Sequence, residues 1–140
     1  MKIKISEELL NIAKDNLEDL KCSFEITETS TNEVIIKPVG CINSYNATFF
    51  QERMEKVIDT GCKHLVFDMS NTKYVSAVGI GSFIHIFEIL KITGGDIVLN
   101  NMQKHVVEVF QLPGFAEYFD IDPNANRAVL GADRRKMAVS

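Results

Sequence analysis

The stretch HLVFDMSNTKYVSAVGIGSFI, residues 64–84, decides the fold. It starts with the short apolar run Leu65-Val66-Phe67, which reads as a strand ending at Asp68. Ser70 to Tyr74 read as a connection, and Tyr74-Val75 form a second apolar pair. Ser76-Ala77-Val78-Gly79 is a corner of small residues that opens a helix over 79–92. Ile80, Phe83, Ile84, Phe87 and Leu90 recur at helical spacing along it. Ser76 is placed to cap that helix, and Asp68 to accept backbone hydrogen bonds at the strand end. Gly79 and Gly81 keep the helix start free of bulky side chains, which admits a partner backbone or a phosphate.

Outward toward the N-terminus, residues 47–60 form a helix with Ala47, Phe50, Met54, Val57 and Ile58 on one face, stopped by Gly61. The segment GCINSYN, 40–46, is a loop of turn-forming residues. Residues 22–28 and 33–39 read as a hairpin, with Pro38 at a strand end or an unpaired position. Before them, Leu9, Ile12, Ala13, Leu17 and Leu20 mark an amphipathic helix over 6–20. It is a segment that docks on its own domain or, alternatively, a helix for dimerisation or a partner.

Toward the C-terminus, Gly94-Gly95 ends the second helix and DIVLN, 96–100, is a short strand. Asn101 is positioned to cap a helix over 102–111, and Tyr118 to Ile121 add an extended piece. Asp122-Pro123 suits the opening of a final helix ending near Gly131. The expected class is α/β, a mixed sheet of four to five strands packed with helices, plus an N-terminal helical extension. The expected division is residues 1–21 as the extension, 22–131 as the domain and 132–140 as a flexible tail.

The bulk numbers exclude several functions. The chain has 140 residues, 46% hydrophobic and 24% charged, with a net charge of -4. No basic surplus exists to neutralise phosphates, so nucleic acid is not an expected partner. Cys22, Cys41 and Cys62 form neither a CxxC pair nor an even framework, which fits reduced thiols. The first twenty residues are laced with charge, and no apolar run is long enough to span a bilayer, so a cytoplasmic location without membrane insertion is expected. His64, His85 and His105 fall on three separate elements, so no metal site is expected. GIGSF lacks the lysine and third glycine of a phosphate loop, and no activated nucleophile is evident, so neither a cofactor nor an enzyme activity is expected. Phe49 and Phe50 cannot both face one stripe; Phe50 fits the core, while Phe49 is an exposed contact or packs under the extension.

Read together, the Asp-x-Ser strand end, the small corner, Gly79-x-Gly81, the 40–47 loop, the Gly94 to Leu99 strand and the Leu112-Pro113-Gly114-Phe115 turn resemble the STAS domain of bacterial anti-sigma factor antagonists. The resemblance covers residues 22–131. It implies a protein-binding module that sequesters an anti-sigma factor, a serine kinase of the histidine-kinase-like ATPase type, and so regulates transcription without touching DNA. The implied contact surface is Asn43, Ser44, Ser76, Ala77, Val78, Gly79 and Ser82. In that family a serine of an Asp-Ser-Ser-Gly corner is phosphorylated. Here Ser76 stands at the aspartate position and Ala77, which has no hydroxyl, at the acceptor position. Asn43 also stands where the family commonly has aspartate. Either the usual switch is absent or Ser76 has taken it over. The alternative function is an accessory subunit of a membrane lipid or anion transporter, or a signalling scaffold, and a homodimer stays open.

Overall fold

The computed structural model describes residues 16–17, 20–26 and 33–131. In chain order the elements are β1 (Asn16–Leu17), β2 (Leu20–Ile26), β3 (Glu33–Ile42), α1 (Ala47–Asp59), β4 (His64–Asp68), β5 (Thr72–Val75) and α2 (Ala77–Leu90). A 3-10 turn (Lys91–Thr93), β6 (Asp96–Asn100), α3 (Lys104–Phe110), a second 3-10 turn (Ala116–Tyr118), β7 (Asp120–Asp122) and β8 (Arg127–Leu130) follow. The eight strands form one mixed sheet in the order β1-β2-β3-β4-β6-β8-β7, with β5 also paired to β3. The α/β class is as expected, with more strands than the four to five anticipated.

The sheet is built on β3. It is antiparallel to β2 over Val34 to Gly40 and parallel to β4 over Glu33 to Ile36. At Gly40 the register shifts and β3 pairs instead with β5, through Cys41↔Tyr74 and Ile42↔Val75. Gly40 adopts a φ of 113°, which an L side chain rarely takes, and so permits the change of partner. Pro38 lies inside this strand, in the gap between the two parallel partners, where a missing N–H costs no ladder bond on that side. Its carbonyl accepts from the buried Thr72 hydroxyl at 2.9 Å.

Register sorts the side chains onto two faces. Val34, Leu65, Ile97 and Leu130 align in one row and Ile36, Phe67, Leu99 and Ala128 in another. All eight are buried, and α1 and α2 cover them with Phe50, Met54, Val57, Ile80, Phe83 and Ile86. Phe83 is central: its ring centroid lies 5.4 Å from Phe50, 5.1 Å from Phe67 and 6.0 Å from Phe110. Edge-on aromatic contacts of this kind add to the burial of the rings.

Four expectations are corrected. The helix over 6–20 does not reach Leu20: Asn16–Leu17 and Leu20 are in strands, because Leu20 pairs with Gly40 and is buried in the core. The sheet therefore begins before residue 22, and the remainder of that helix, the segment joining the two strands of the expected hairpin and the tail at 132–140 lie outside the described residues. Ser70 to Tyr74 is not simply a connection, since Thr72–Val75 is β5. Its burial follows no period-2 alternation, so it carries no strand signature. Asn101 caps no helix: α3 starts at Lys104, and Asn101 takes a φ of 58° with its amide donating to Asp68 Oδ1 at 3.2 Å. Asp122-Pro123 opens a tight turn between β7 and β8, not a helix. Asp122 Oδ1 accepts from the Asn124 and Ala125 amides at 3.1 and 3.3 Å. An Asp-Pro pair suits a turn and a helix start equally, and here Ala128 and Leu130 are drawn onto β6.

Candidate functional site

Three pieces of chain converge at the end of the sheet where β3 meets β5. Ile42 terminates β3, and its carbonyl accepts from the Ser76 amide at 2.9 Å, which fixes the corner against the strand end. Ser76 has extended backbone, and its hydroxyl oxygen accepts from the Gly79 amide at 3.1 Å. It is the N-cap expected, and it satisfies one of the amides left over at the start of α2. The loop between β3 and α1 is held by a reciprocal pair of asparagines. Asn43 Oδ1 accepts from the Tyr45 and Asn46 amides at 2.9 and 3.2 Å. Asn46 Oδ1 accepts from the Asn43 amide at 2.9 Å, while Asn46 Nδ2 donates to the Cys41 carbonyl at 2.8 Å.

The sequence-derived surface divides in two. Ser44, Ala77 and Val78 are exposed, and Asn43 and Ser76 are half-buried, all at this one end. Gly79 and Ser82 are buried and cannot face a partner. A Cβ on Gly79 would stand 2.8 Å from the Ile42 carbonyl oxygen and 2.9 Å from Val75 Cγ1. The close approach that glycine permits is thus between α2 and β3 of the same chain. Gly81, by contrast, faces open space. Ser82 ties the helices together, its hydroxyl lying 3.0 Å from Gln51 Oε1 and 3.2 Å from the Val78 carbonyl.

Four large apolar side chains open to solvent from the same pieces of chain. They are Tyr45 in the loop (80% exposed), Phe49 in the first turn of α1, Tyr74 in β5 and Val78 in the first turn of α2. Phe49 is thereby settled as an exposed residue. Tyr45 and Tyr74 were not singled out from sequence, nor was the buried Asn46 that pins the loop. A tyrosine reads equally well as core, and Tyr74 sits in the strand that has no alternation. The pair of asparagines three residues apart was the one readable sign of the loop's geometry.

Beside this end, Asp68 Oδ1 accepts from the Ser70 amide at 3.1 Å and from Asn101, bearing out its role as a cap of the strand end. Burial pushes its carboxyl up, but hydrogen bonds from Ser70 and Asn101, with the charge of Lys37, outweigh this and hold it below its ordinary value of 3.8. A carboxylate held ionised by amides is a poor proton carrier at neutral pH. Among the described residues no three His, Cys, Asp or Glu side chains gather as metal ligands. No described helix is long and apolar enough to cross a membrane.

A mixed sheet built on one bulged strand, with a serine-capped helix locked to that strand's end, defines an α/β module that presents a corner. The chain belongs to the STAS domain family, whose model matches residues 24–128. It is 29% identical over 93 residues to BtrV of Bordetella bronchiseptica, covering 66% of this chain and 79% of that one. It is 24% identical over 98 residues to an anti-sigma-B factor antagonist of Bacillus subtilis, covering 70% of this chain and 89% of that one. The solved structure of the unphosphorylated anti-sigma factor antagonist SpoIIAA shares the fold, with a TM-score of 0.57 at 18% identity, covering 68% of this chain and 84% of that one.

Proposed function

We propose that this protein is an anti-sigma factor antagonist that binds its partner through the corner between β3, β5 and α2, and that it does so without a serine phosphoswitch. One observation carries the reading. The exposed Ala77-Val78 turn stands on a rigid base with Tyr45, Phe49 and Tyr74 opening around it. Exposed aromatic and aliphatic side chains on a preorganised frame are what a protein contact uses, since little order remains to be created on binding.

The chemistry of the corner argues against the switch. Ala77 offers no hydroxyl. The Ser76 oxygen is committed to the Gly79 amide, and its backbone is bound to Ile42. A phosphate on that oxygen would stand at the start of α2, a position that favours anions, so the case against the switch rests on the missing hydroxyl at Ala77 and on the engagement of Ser76. The relatives' names support an anti-sigma factor as the partner, and we take it to be of the histidine-kinase-like ATPase type, met in the cytoplasm, as the family resemblance implies. The module acts by occupying that partner, not by catalysis.

The test is affinity capture from native lysate with the tagged full chain, in parallel with Val78→Asp. Gly79→Arg is unsuitable as a surface control, because it would break the packing against Ile42. The expected result is recovery of a kinase-type anti-sigma factor by the parent, weakened about tenfold or more in the variant. Incubating that complex with Mg-ATP is expected neither to add a phosphate nor to release the partner. Recovery of transporter subunits instead, or equal capture by both proteins, overturns the reading.

A further inference from the structure

Tyr74 stands in the part of the corner with the least sheet around it. β5 has four residues and pairs with β3, and among the described residues no strand lies on its other side. A strand so short has few ladder bonds of its own to hold it in place. The residues on either side of the Lys73-Tyr74 unit are anchored. Thr72 is buried, its hydroxyl donating to the Pro38 carbonyl at 2.9 Å and its amide to the Met69 carbonyl at 3.0 Å. Val75 is buried in the core. Between them, Lys73 and Tyr74 are both exposed. What meets the outer edge of this segment is the start of α3. The Met69 amide donates to the Asn100 carbonyl at 2.8 Å, Gln103 Nε2 donates to the Ser70 carbonyl at 3.4 Å, and His105 Nε2 meets the Lys73 carbonyl. The contacts climb both pieces of chain in step and end on the residue just before Tyr74.

We propose that His105 is a positioning residue for the corner: its bond to the Lys73 carbonyl sets where Tyr74 stands. A carbonyl oxygen can only accept, so Nε2 carries the proton and donates. The Lys73 carbonyl and the Tyr74 amide belong to one planar peptide unit and point opposite ways across it. Holding the oxygen toward α3 therefore turns the amide toward β3, where Tyr74 pairs with Cys41. Val106, Val107 and Phe110 bury α3 in the core, so the histidine beside them reaches out from a fixed base. Gln103 contributes less, because its bond is longer and ends on Ser70, four residues before Tyr74. The consequence for binding rests on the corner being the contact surface; the consequence for the place of Tyr74 does not.

The test uses the full chain and the variants His105→Ala, His105→Gln and Tyr74→Ala. His105 is exposed and alanine is the better helix former, so the first variant is expected to fold. Without any partner, amide and tyrosine-ring NMR signals of Tyr74 should move in His105→Ala while those of Tyr45 and Tyr118 stay in place. His105→Gln should restore them, since its side-chain amide can donate to the same carbonyl. Affinity for the captured anti-sigma factor should fall about fivefold in His105→Ala, the fold-change of one hydrogen bond, and return in His105→Gln. In the Tyr74→Ala background, His105→Ala should cost nothing further. Unmoved Tyr74 signals in His105→Ala overturn the proposal. So does an equal loss of affinity with and without the Tyr74 side chain, which would make His105 itself a contact residue. If no anti-sigma factor is captured, the functional reading falls, and the Tyr74 signals alone uphold or overturn the positioning role.

Discussion

At Gly79 one hydrogen atom in place of a methyl group decides how α2 meets the sheet. Gly79→Ala forces a Cβ to 2.8 Å from the Ile42 oxygen, so strand or helix must give way. The expected cost is about 1–3 kcal/mol, typical of overpacking. Gly81→Ala meets nothing and should stabilise α2 by about 0.5–1 kcal/mol, since alanine is the better helix former. Urea midpoints of the two variants should therefore move in opposite directions. Nothing in Gly79-x-Gly81 distinguishes these roles; a glycine's neighbours become visible only when the strand end is in place. Asp68 makes a second residue-scale prediction. Its folded pKa is depressed, so its stabilising contribution is present above about 3.8 and is lost as pH falls through the folded value. The gap in urea midpoint between the parent and Asp68→Asn should be widest above pH 4 and should shrink on acidification. A constant gap would show that the charge plays no part.

The two long helices were legible because their apolar stripes are long and regular: Ala47, Phe50, Met54 and Val57 in α1, Ile80, Phe83 and Leu90 in α2. Short elements were not. β5 and β8 have four residues each, too few for a period to declare itself. The Asp122-Pro123 pair was read as a helix start because the same two residues serve both purposes. Ser82 belongs to this scale, since it acts between helices. It was placed on the binding surface by resemblance, but its hydroxyl is enclosed between α1 and α2. Ser82→Ala should cost about 1 kcal/mol by leaving Gln51 without that bond, and should leave affinity for the captured partner unchanged. A loss of affinity without loss of stability would return Ser82 to the interface.

One core cluster runs from Leu20 in β2 to Leu130 in β8, so the described chain should unfold as a unit. Phe83 tests this, because its ring touches those of α1, β4 and α3. Phe83→Ala should cost about 3–5 kcal/mol and shift far-ultraviolet circular dichroism and tyrosine fluorescence by the same amount. Transitions that separate between the two probes would mean that the sheet and the corner are held by different cores.

The sequence alone determined the α/β class, the two main helices, the Ser76 cap and the absence of a hydroxyl at Ala77. Each depends on residue type or on local periodicity, which the chain carries wherever it is placed. Only the tertiary structure decided that Gly79 and Ser82 face inward, that Tyr45 and Tyr74 face outward, and that residues 120–130 form a hairpin. Those outcomes depend on what lies across the gap: a carbonyl at the end of β3, a glutamine on α1, the open edge of β6. Such neighbours are distant in sequence, and local pattern says nothing of them until the sheet brings them together.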